Sequence, residues 1–372
     1  MTDDMRENPH VVLAAGGTGG HMVPAEALAG VLTGQGHDVL LVTDRRGDRF
    51  QNICQGLPRH VMDVESHMAG GVAAKLRGLW SLLRATLAMR SVFRSDRPGV
   101  VVGFGGYPSL PPILAARLLG IPYVLHEQNA VLGRVNRWLS KSAALLALSV
   151  DTTSGVPRQA QTVTTGNPVR SSVAKLSNLA YATPLGGGDI RLFVIGGSQG
   201  ARILSEVVPA ALASLDEDLR RRLVVTHQAR AEDIANVVRA YKRAGIRKEV
   251  GAYFENVAGT LQRTQLVICR AGASTLAELA AMGRPAILVP LAIAADDHQR
   301  ANAMPLVDAG GGWMMEETDF TPDGLATLLR RLLSDMGELR DASDALRGIG
   351  QPDAAVQLAS HVTDFLDDGV PQ

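Results

Sequence analysis

Short apolar runs recur along this chain, each closing on glycine or a polar cluster and each followed by a stretch with helical spacing. Residues 11–15 predict a buried strand, broken by Gly16-Gly17-Thr18-Gly19-Gly20-His21. Pro24 stands where a first helical turn should begin, ahead of Ala25, Glu26, Ala27 and Leu28, and the helix should end at Gly34 and Gly36. Residues 39–43 predict a second strand. Asp44-Arg45-Arg46 after it reads as a solvated turn, with an acid that reads a ribose as the alternative. Residues 72–94 predict a helix on which Val72, Leu76, Leu79, Trp80, Leu83 and Leu87 keep helical spacing. A strand over 99–103 runs into Gly103-Phe104-Gly105-Gly106-Tyr107-Pro108-Ser109, with a helix from Pro112. The strand over 122–125 carries His126-Glu127-Gln128-Asn129 beyond its C-terminal end, where open α/β sheets bind ligands. A helix over 133–140 and a strand over 144–150 complete this half.

Turn residues meet a proline in Thr164-Thr165-Gly166-Asn167-Pro168-Val169-Arg170, and regular patterning stops until Asp189. We place a domain boundary there, with one α/β domain over 1–167 and a second over 168–351. Residues 190–195 restart the pattern: a strand, then Gly196-Gly197-Ser198-Gln199-Gly200-Ala201-Arg202, then a helix through Leu212. Strands follow over 223–226, 249–253, 266–270 and 286–290. Ser274 and Thr275, after Gly272 and Ala273, suit a helix N-cap. The last three segments read as helical, the final one amphipathic over 354–366.

Composition narrows the class. The chain has 372 residues, 46% of them apolar, which favours two domains with large cores. Its 37 basic and 37 acidic residues cancel, so no global field draws in nucleic acid. Cys54 and Cys269 are too few and too far apart for a disulfide or zinc framework, which suits a reducing cytoplasm. The polar, acidic N-terminus is no signal peptide, and no apolar run reaches the ~18 residues of a membrane span. One segment departs from this balance. The helix over 72–94 carries Lys75, Arg77, Arg84, Arg90 and Arg94 and no acid. Either its apolar residues face the core and its cations face solvent, or some apolar residues stay exposed among the cations as a site for an anionic membrane surface.

A strand, a glycine turn and a helix aim backbone N–H groups and a positive helix end at an anion. The first such turn fits no standard nucleotide loop. Met22 occupies the third glycine position of a dinucleotide fingerprint, and a phosphate-loop Lys-Ser/Thr pair is missing. A tight connection with a solvated His21 is the plain alternative.

Taken in order, GGTGGH (16–21), GGYPS (105–109), HEQN (126–129), GNPVR (166–170), GGSQGAR (196–202), CRAGASTLAE (269–278) and the pair His298-Gln299 resemble the MurG family of peripheral-membrane glycosyltransferases. The resemblance implies the GT-B fold: two Rossmann-like α/β domains with parallel sheets facing across a cleft, and a terminal helix over 352–368 crossing back to the first. It implies UDP-N-acetylglucosamine as donor, held by Ser198 at the phosphates and by Phe254 through backbone atoms at the uracil. Ala273, Ser274, Thr275, Leu276, Ala277 and Glu278 should line the donor, with Glu278 on the ribose. Gln299, with His298, should reach the sugar, and Asn129 and Arg170 complete the donor side. Thr18, Gly19 and Gly20 should face the diphosphate. The segment 292–297 is longer and more apolar than the family's short polar stretch.

The same resemblance implies as acceptor an undecaprenyl-diphosphate-linked muramyl-pentapeptide, and a place at the cytoplasmic face of the bacterial inner membrane. Tyr107 belongs to the acceptor side. Lys75, Leu76, Arg77, Leu79, Trp80 and Leu83 fall where the family has its membrane patch. The implied reaction is an inverting single displacement that needs a base and stabilisation of the leaving diphosphate. His21 is the first candidate for the base, because imidazole titrates near neutrality, with His126 and Glu127 as rivals. Glycine-loop amides would stabilise the diphosphate, so no cofactor or obligatory metal is expected. Alternatives are a GT-B transferase for another lipid, a non-catalytic nucleotide-sugar-binding protein, or a nicotinamide dehydrogenase, which would need a proper G-x-G-x-x-G.

Overall fold

Alternation of strand and helix builds two parallel sheets, one from each half of the chain. The computed structural model describes residues 10–50, 52–64, 71–184, 187–197, 200–292 and 297–367, without the side chains of 72–75 and 367. The chain divides into two compact units, Met1–Ser171 with Asp353–Gln372, and Ser172–Pro352.

The first unit contains β1 (Val11–Ala14), α1 (Gly19–Gly34), β2 (Val39–Asp44), β3 (Arg59–Met62), α2 (Val72–Ser95), β4 (Val100–Gly103), α3 (Leu110–Leu118), β5 (Tyr123–Glu127), α4 (Arg134–Leu139), β6 (Leu145–Leu148) and β7 (Thr162–Thr164). Its strands lie side by side in the order β3-β2-β1-β4-β5-β6-β7, all parallel. The central strands are buried on both faces, which is why they read as continuous apolar runs. Val11 and Leu13 pack with Met22, Leu28 and Phe104 on one face. Val12 packs with Met89, Phe93 and Ile113 on the other. After α5 (Ser171–Leu176), the second unit runs β8 (Ile190–Ile195), α6 (Arg202–Ala213), α7 (Glu217–Arg222), β9 (Leu223–Gln228), α8 (Ile234–Arg243), β10 (Arg247–Gly251), α9 (Val257–Arg263), β11 (Leu266–Cys269), α10 (Ala273–Met282), β12 (Ala286–Leu288), α11 (His298–Asp308), β13 (Gly312–Met314), α12 (Pro322–Ser334) and α13 (Met336–Ile349). Its sheet order is β10-β9-β8-β11-β12-β13. The last helix, α14 (Ala354–Asp367), returns to the first unit, where Leu358, Ala359, Val362 and Leu366 join the core under α1.

Both sheets are therefore doubly wound. Each reverses direction between its first and fourth strands, β1/β4 and β8/β11, and ligands of open α/β sheets bind at the carboxyl ends beside such a reversal.

Several elements differ from the sequence expectation. The α1 helix begins at Gly19, with Thr18 as its N-cap, so Pro24 lies inside it. Local propensity favoured a start at the proline, but the strand end delivers the chain into helical geometry five residues earlier. The α3 helix likewise starts at Leu110, preceded by a single tight turn over Tyr107–Ser109. The β5 strand continues through Glu127, because β6 pairs with His126 and Glu127. The edge strands β7 and β13 and the short helices α7 and α9 carry too weak a pattern to stand out from the sequence, whereas α8, with Val237 and Tyr241 buried at helical spacing, is amphipathic but is not among the expected elements.

Candidate functional site

At the β1/β4 reversal, three loops converge within the first unit. Gly16 and Gly17 leave β1, Asp44 to Gly47 leave β2, and Gly105 to Pro108 leave β4. The contact is too tight for side chains. A Cβ on Gly16 would lie 2.6 Å from Asp44 Oδ1 and 2.9 Å from Pro108 Cβ. Gly17 and Gly106 have φ of +79° and +71°, which favours glycine on conformational grounds as well. The expectation of a solvated turn at Asp44 is overturned: the residue is 2% exposed. Its Oδ1 accepts from the amides of Gly17 (3.0 Å) and Gly47 (2.9 Å), and its Oδ2 accepts from Arg46 Nε (2.9 Å). Two loop amides and a guanidinium compensate this buried carboxylate.

His21, in the first turn of α1, sits against this loop. Its Nδ1 lies 3.2 Å from the Gly16 carbonyl. A carbonyl only accepts, so Nδ1 carries the proton and Nε2 presents a lone pair. Its ring passes so close to Gly106 that a Cβ there would lie 3.0 Å from His21 Cε1. Burial pushes its pKa down from the ordinary histidine value. The Gly16 bond, Glu127 and Asp44 oppose that shift, and Arg46 adds to it. Thr18 and Gly20 at the same helix start are exposed, and Gly19 is half-buried.

The rival bases are differently placed. His126 is fully buried, donating from Nε2 to the Gly166 carbonyl (3.0 Å) and accepting at Nδ1 from Gln128 Nε2 (3.0 Å). Burial lowers its pKa to about 4. With both nitrogens engaged, it has none left for a substrate proton. Glu127 is saturated: Oε1 accepts from the backbone and side-chain amides of Asn129, and Oε2 from Gly133 N and Asn136 Nδ2, all within 3.1 Å. Both act as anchors, and Glu127 fixes where Asn129 sits. Tyr107 donates its hydroxyl to the Gly78 carbonyl of α2 (3.1 Å), tying the β4 loop to that helix. Arg170 is half-buried just before the unit boundary.

At the β8/β11 reversal the second unit repeats the arrangement. A Cβ on Gly196 would meet Ala201 N at 2.4 Å, and Gly197 and Gly200 have φ of +82° and +66°. Ser198 lies outside the described residues. Gln228, at the end of β9, accepts from Gly196 N (3.1 Å) and donates to the Ala252 carbonyl (3.3 Å), so it ties this loop to the one leading to Phe254. Phe254 stacks edge-on against the buried Phe193, ring centres 6.0 Å apart. Gly272, not Ser274 or Thr275, is the N-cap of α10. The amides of Ala273, Ser274 and Thr275 therefore form its first turn, for which the helix supplies no acceptor. Leu276 and Glu278 are buried, whereas Ala277 is half-buried. The Leu276 amide bonds to Gly272, so Leu276 supports this helix start from the core side. Gln299 Oε1 accepts from Leu291 N (3.0 Å) and His298 opens α11, both half-buried. Arg270 donates to the carbonyls of Val289 and Pro290 and pairs with Glu317 at 2.5 Å, bracing the exits of β11 and β12.

Two family models match, the glycosyltransferase family 28 N-terminal domain over residues 11–147 and its C-terminal domain over 191–358. A relative from Granulibacter bethesdensis is 46% identical over 370 residues, 99% of this chain and 96% of its own. One from Rhodospirillum rubrum is 47% identical over 98% of this chain and 94% of its own. Both are named UDP-N-acetylglucosamine--N-acetylmuramyl-(pentapeptide) pyrophosphoryl-undecaprenol N-acetylglucosamine transferase. The crystal structure of Acinetobacter baumannii MurG superposes with a TM-score of 0.77 at 31% identity, covering 96% of this chain and 99% of that one. The chain belongs to the MurG family of glycosyltransferase family 28. It is a glycosyltransferase of GT-B fold class, with one parallel-sheet α/β unit from each half of the chain.

On the basic helix of this MurG-family chain, one apolar face is buried and another is exposed. Met89 and Phe93 on α2 are fully buried, each worth about 2–5 kcal/mol against truncation. Leu76, Leu79, Trp80, Leu83 and Leu87 face the other way, 47–67% exposed. At about 3.6 residues per turn, Leu76, Trp80, Leu83 and Leu87 form one stripe, with Leu79 beside it and Arg77 and Arg84 on its flank. The side chain of Lys75 lies outside those described. Among the described residues no helix is long and apolar enough to cross a membrane.

The sequence names Asp44 only as a turn residue or a ribose reader and Arg270 only as part of CRAGASTLAE (269–278), without these bracing roles, and it does not single out Gln228, which becomes visible through the strand ends it joins.

Proposed function

We infer that this protein transfers N-acetylglucosamine from UDP-N-acetylglucosamine to undecaprenyl-diphosphate-linked N-acetylmuramyl-pentapeptide, as its relatives are named for doing. The observation that carries this reading is near-full-length identity of 46–47% to those relatives, in a chain that places a glycine turn and a helix start at the reversal point of both sheets. The second unit holds the donor. Backbone amides after Gly196 and at the start of α10 suit a diphosphate, Phe254 adjoins the base, Glu278 the ribose, and Gln299 with His298 the sugar. The first unit takes the acceptor and supplies the base.

In the step itself, His21 Nε2 takes the proton of the C4 hydroxyl of the muramyl sugar. The hydroxyl oxygen bonds to the anomeric carbon while the carbon–oxygen bond to the β-phosphate breaks, with inversion. Glycine-loop amides stabilise the departing UDP, so transfer needs no added metal. An acceptor that stays in a bilayer requires the enzyme to come to it. The exposed apolar stripe of α2 and its arginines support docking on an anionic membrane surface, at the cytoplasmic face where nucleotide sugars are made.

A transfer assay tests this. Radiolabelled UDP-N-acetylglucosamine is incubated with a short-chain analogue of the lipid-linked muramyl-pentapeptide, with and without chelator. Label in the lipid product, undiminished by chelator, is the expected result. Donor binding with transfer only to another lipid would overturn the acceptor.

A further inference from the structure

A single peptide plane links Asp44 to His21, whose role as the base is the reading on which this inference rests. The Gly16 carbonyl and the Gly17 amide belong to one planar, trans unit, so they point in opposite directions. Asp44 Oδ1 accepts from the N–H side at 3.0 Å, and His21 Nδ1 donates to the C=O side at 3.2 Å. Whatever fixes the tilt of this plane fixes the acceptor that orients the imidazole. The carboxylate is itself held, by the Gly47 amide on the same oxygen and by Arg46 Nε on the other. It lies so close under the turn that a Cβ on Gly16 would fall 2.6 Å from Oδ1.

We propose that Asp44 is a positioning residue of the transfer reaction: by holding the Gly16–Gly17 peptide it orients His21 toward the acceptor hydroxyl, with Arg46 as its counter-ion. The charged groups that act on His21 are Asp44 and Arg46 from the end of β2 and Glu127 from β5; the β4 loop meets the ring with Gly106. The two carboxylates favour the imidazolium and Arg46 disfavours it. The pair beneath the loop therefore bears on both the orientation and the proton affinity of the base.

Three variants separate these effects. Asp44→Asn keeps an oxygen for the Gly17 and Gly47 amides but puts an NH2 group where Arg46 Nε now donates. Arg46→Ala removes only the exposed partner. Asp44→Ala removes the acceptor on the N–H side of the peptide plane and leaves its carbonyl with the Thr18 amide (3.0 Å) and His21. The readout is the pH dependence of kcat/KM for the lipid analogue, whose acid limb reports the base of the free enzyme. In Arg46→Ala, loss of a cation should move that limb upward by roughly 0.3–1 pH unit, and Asp44→Asn should move it downward by a similar amount. Asp44→Ala should lose roughly 10–100-fold in kcat with donor KM unchanged. A role in stability alone would leave kcat of the folded Asp44→Ala enzyme at the parent value, whereas the limb shifts report only that the charges of the pair reach His21.

His21→Ala serves as the control. If it is inactive while folded Asp44→Ala keeps the parent kcat, the positioning role is overturned and the base assignment stands. If His21→Ala transfers normally, the base assignment falls and takes the proposal with it. Thermal unfolding of each variant corrects kcat for folded fraction. Should Asp44→Ala not fold, Asp44→Ser, whose shorter side chain also withdraws the acceptor from the Gly17 amide, carries the test through the same loss of kcat.

Discussion

His21 illustrates how much one hydrogen bond decides. Its sequence neighbours place it in a glycine loop, but only the Gly16 carbonyl on Nδ1 leaves Nε2 as the basic nitrogen. His21→Ala should lower kcat by roughly 10²–10⁴-fold while UDP-N-acetylglucosamine binding, followed by calorimetry, stays unchanged. The buried histidines make a second prediction. Burial lowers the pKa of His126 to about 4 and of His227 to about 3, the latter with Nδ1 2.7 Å from the Tyr241 hydroxyl. Both therefore stay neutral in the folded protein at pH values where the unfolded chain, with histidines near pH 6.5, already binds protons. Their contribution to stability is fully present above pH 6.5 and is lost as pH falls from there to about 4 and about 3. The melting temperature should decline steadily below pH 6, and His126→Gln should flatten part of that decline. Gly16→Ala should cost about 1–3 kcal/mol in urea unfolding, since its methyl has nowhere to go against Asp44 and Pro108.

At the level of elements, helical spacing gave α2 its length but not its rotation. The apolar stripe and the buried face both repeat at helical period, and a sequence alone does not say which one meets the sheet. Met89 and Phe93 are deep in the core while Trp80 is 67% exposed. An exposed apolar stripe this long has no packing reason to persist, which is why we assign it to a surface contact. The pair Leu79→Glu and Trp80→Glu should abolish co-sedimentation with vesicles containing anionic lipid. Because the replaced side chains touch little of the core, stability should stay within about 0.5 kcal/mol of the parent. Unchanged vesicle binding would remove the stripe from the membrane contact. The start of α1 shows the opposite relation. Propensity put the helix at Pro24, but the first turn forms over Gly19, Gly20 and His21, and that earlier start brings His21 against the Gly16 carbonyl.

Over the whole molecule, the two units share one sheet order and one place for a glycine turn. The nucleotide itself is assigned to the second unit and His21 is not among the residues assigned to it, so UDP should raise the melting temperature of the full chain even in the His21→Ala variant, by an amount set by its concentration over Kd. A chain that binds UDP but transfers no sugar to the lipid analogue would leave a binding protein as the better reading.

The run of apolar strands, the glycine or polar cluster that follows many of them and the ordered motifs along the chain determined the α/β class and the family, because strand burial and tight turns impose their chemistry locally. What the tertiary structure alone decided is which polar residues have their hydrogen-bonding atoms engaged inside the protein. His126, Glu127 and Asp44 share the polar character of His21. Parallel pairing draws His126 and Glu127 into β5, where their hydrogen-bonding atoms are used up inside the protein. Asp44 is buried beneath the β1 loop by the packing of three strand ends. Some of these partners are near in sequence, such as Asn129, Gly133 and Asn136 for Glu127, but strand pairing and the distant partners Gly166 for His126 and Gly17 for Asp44 are set by tertiary packing, and no local pattern in the sequence records them.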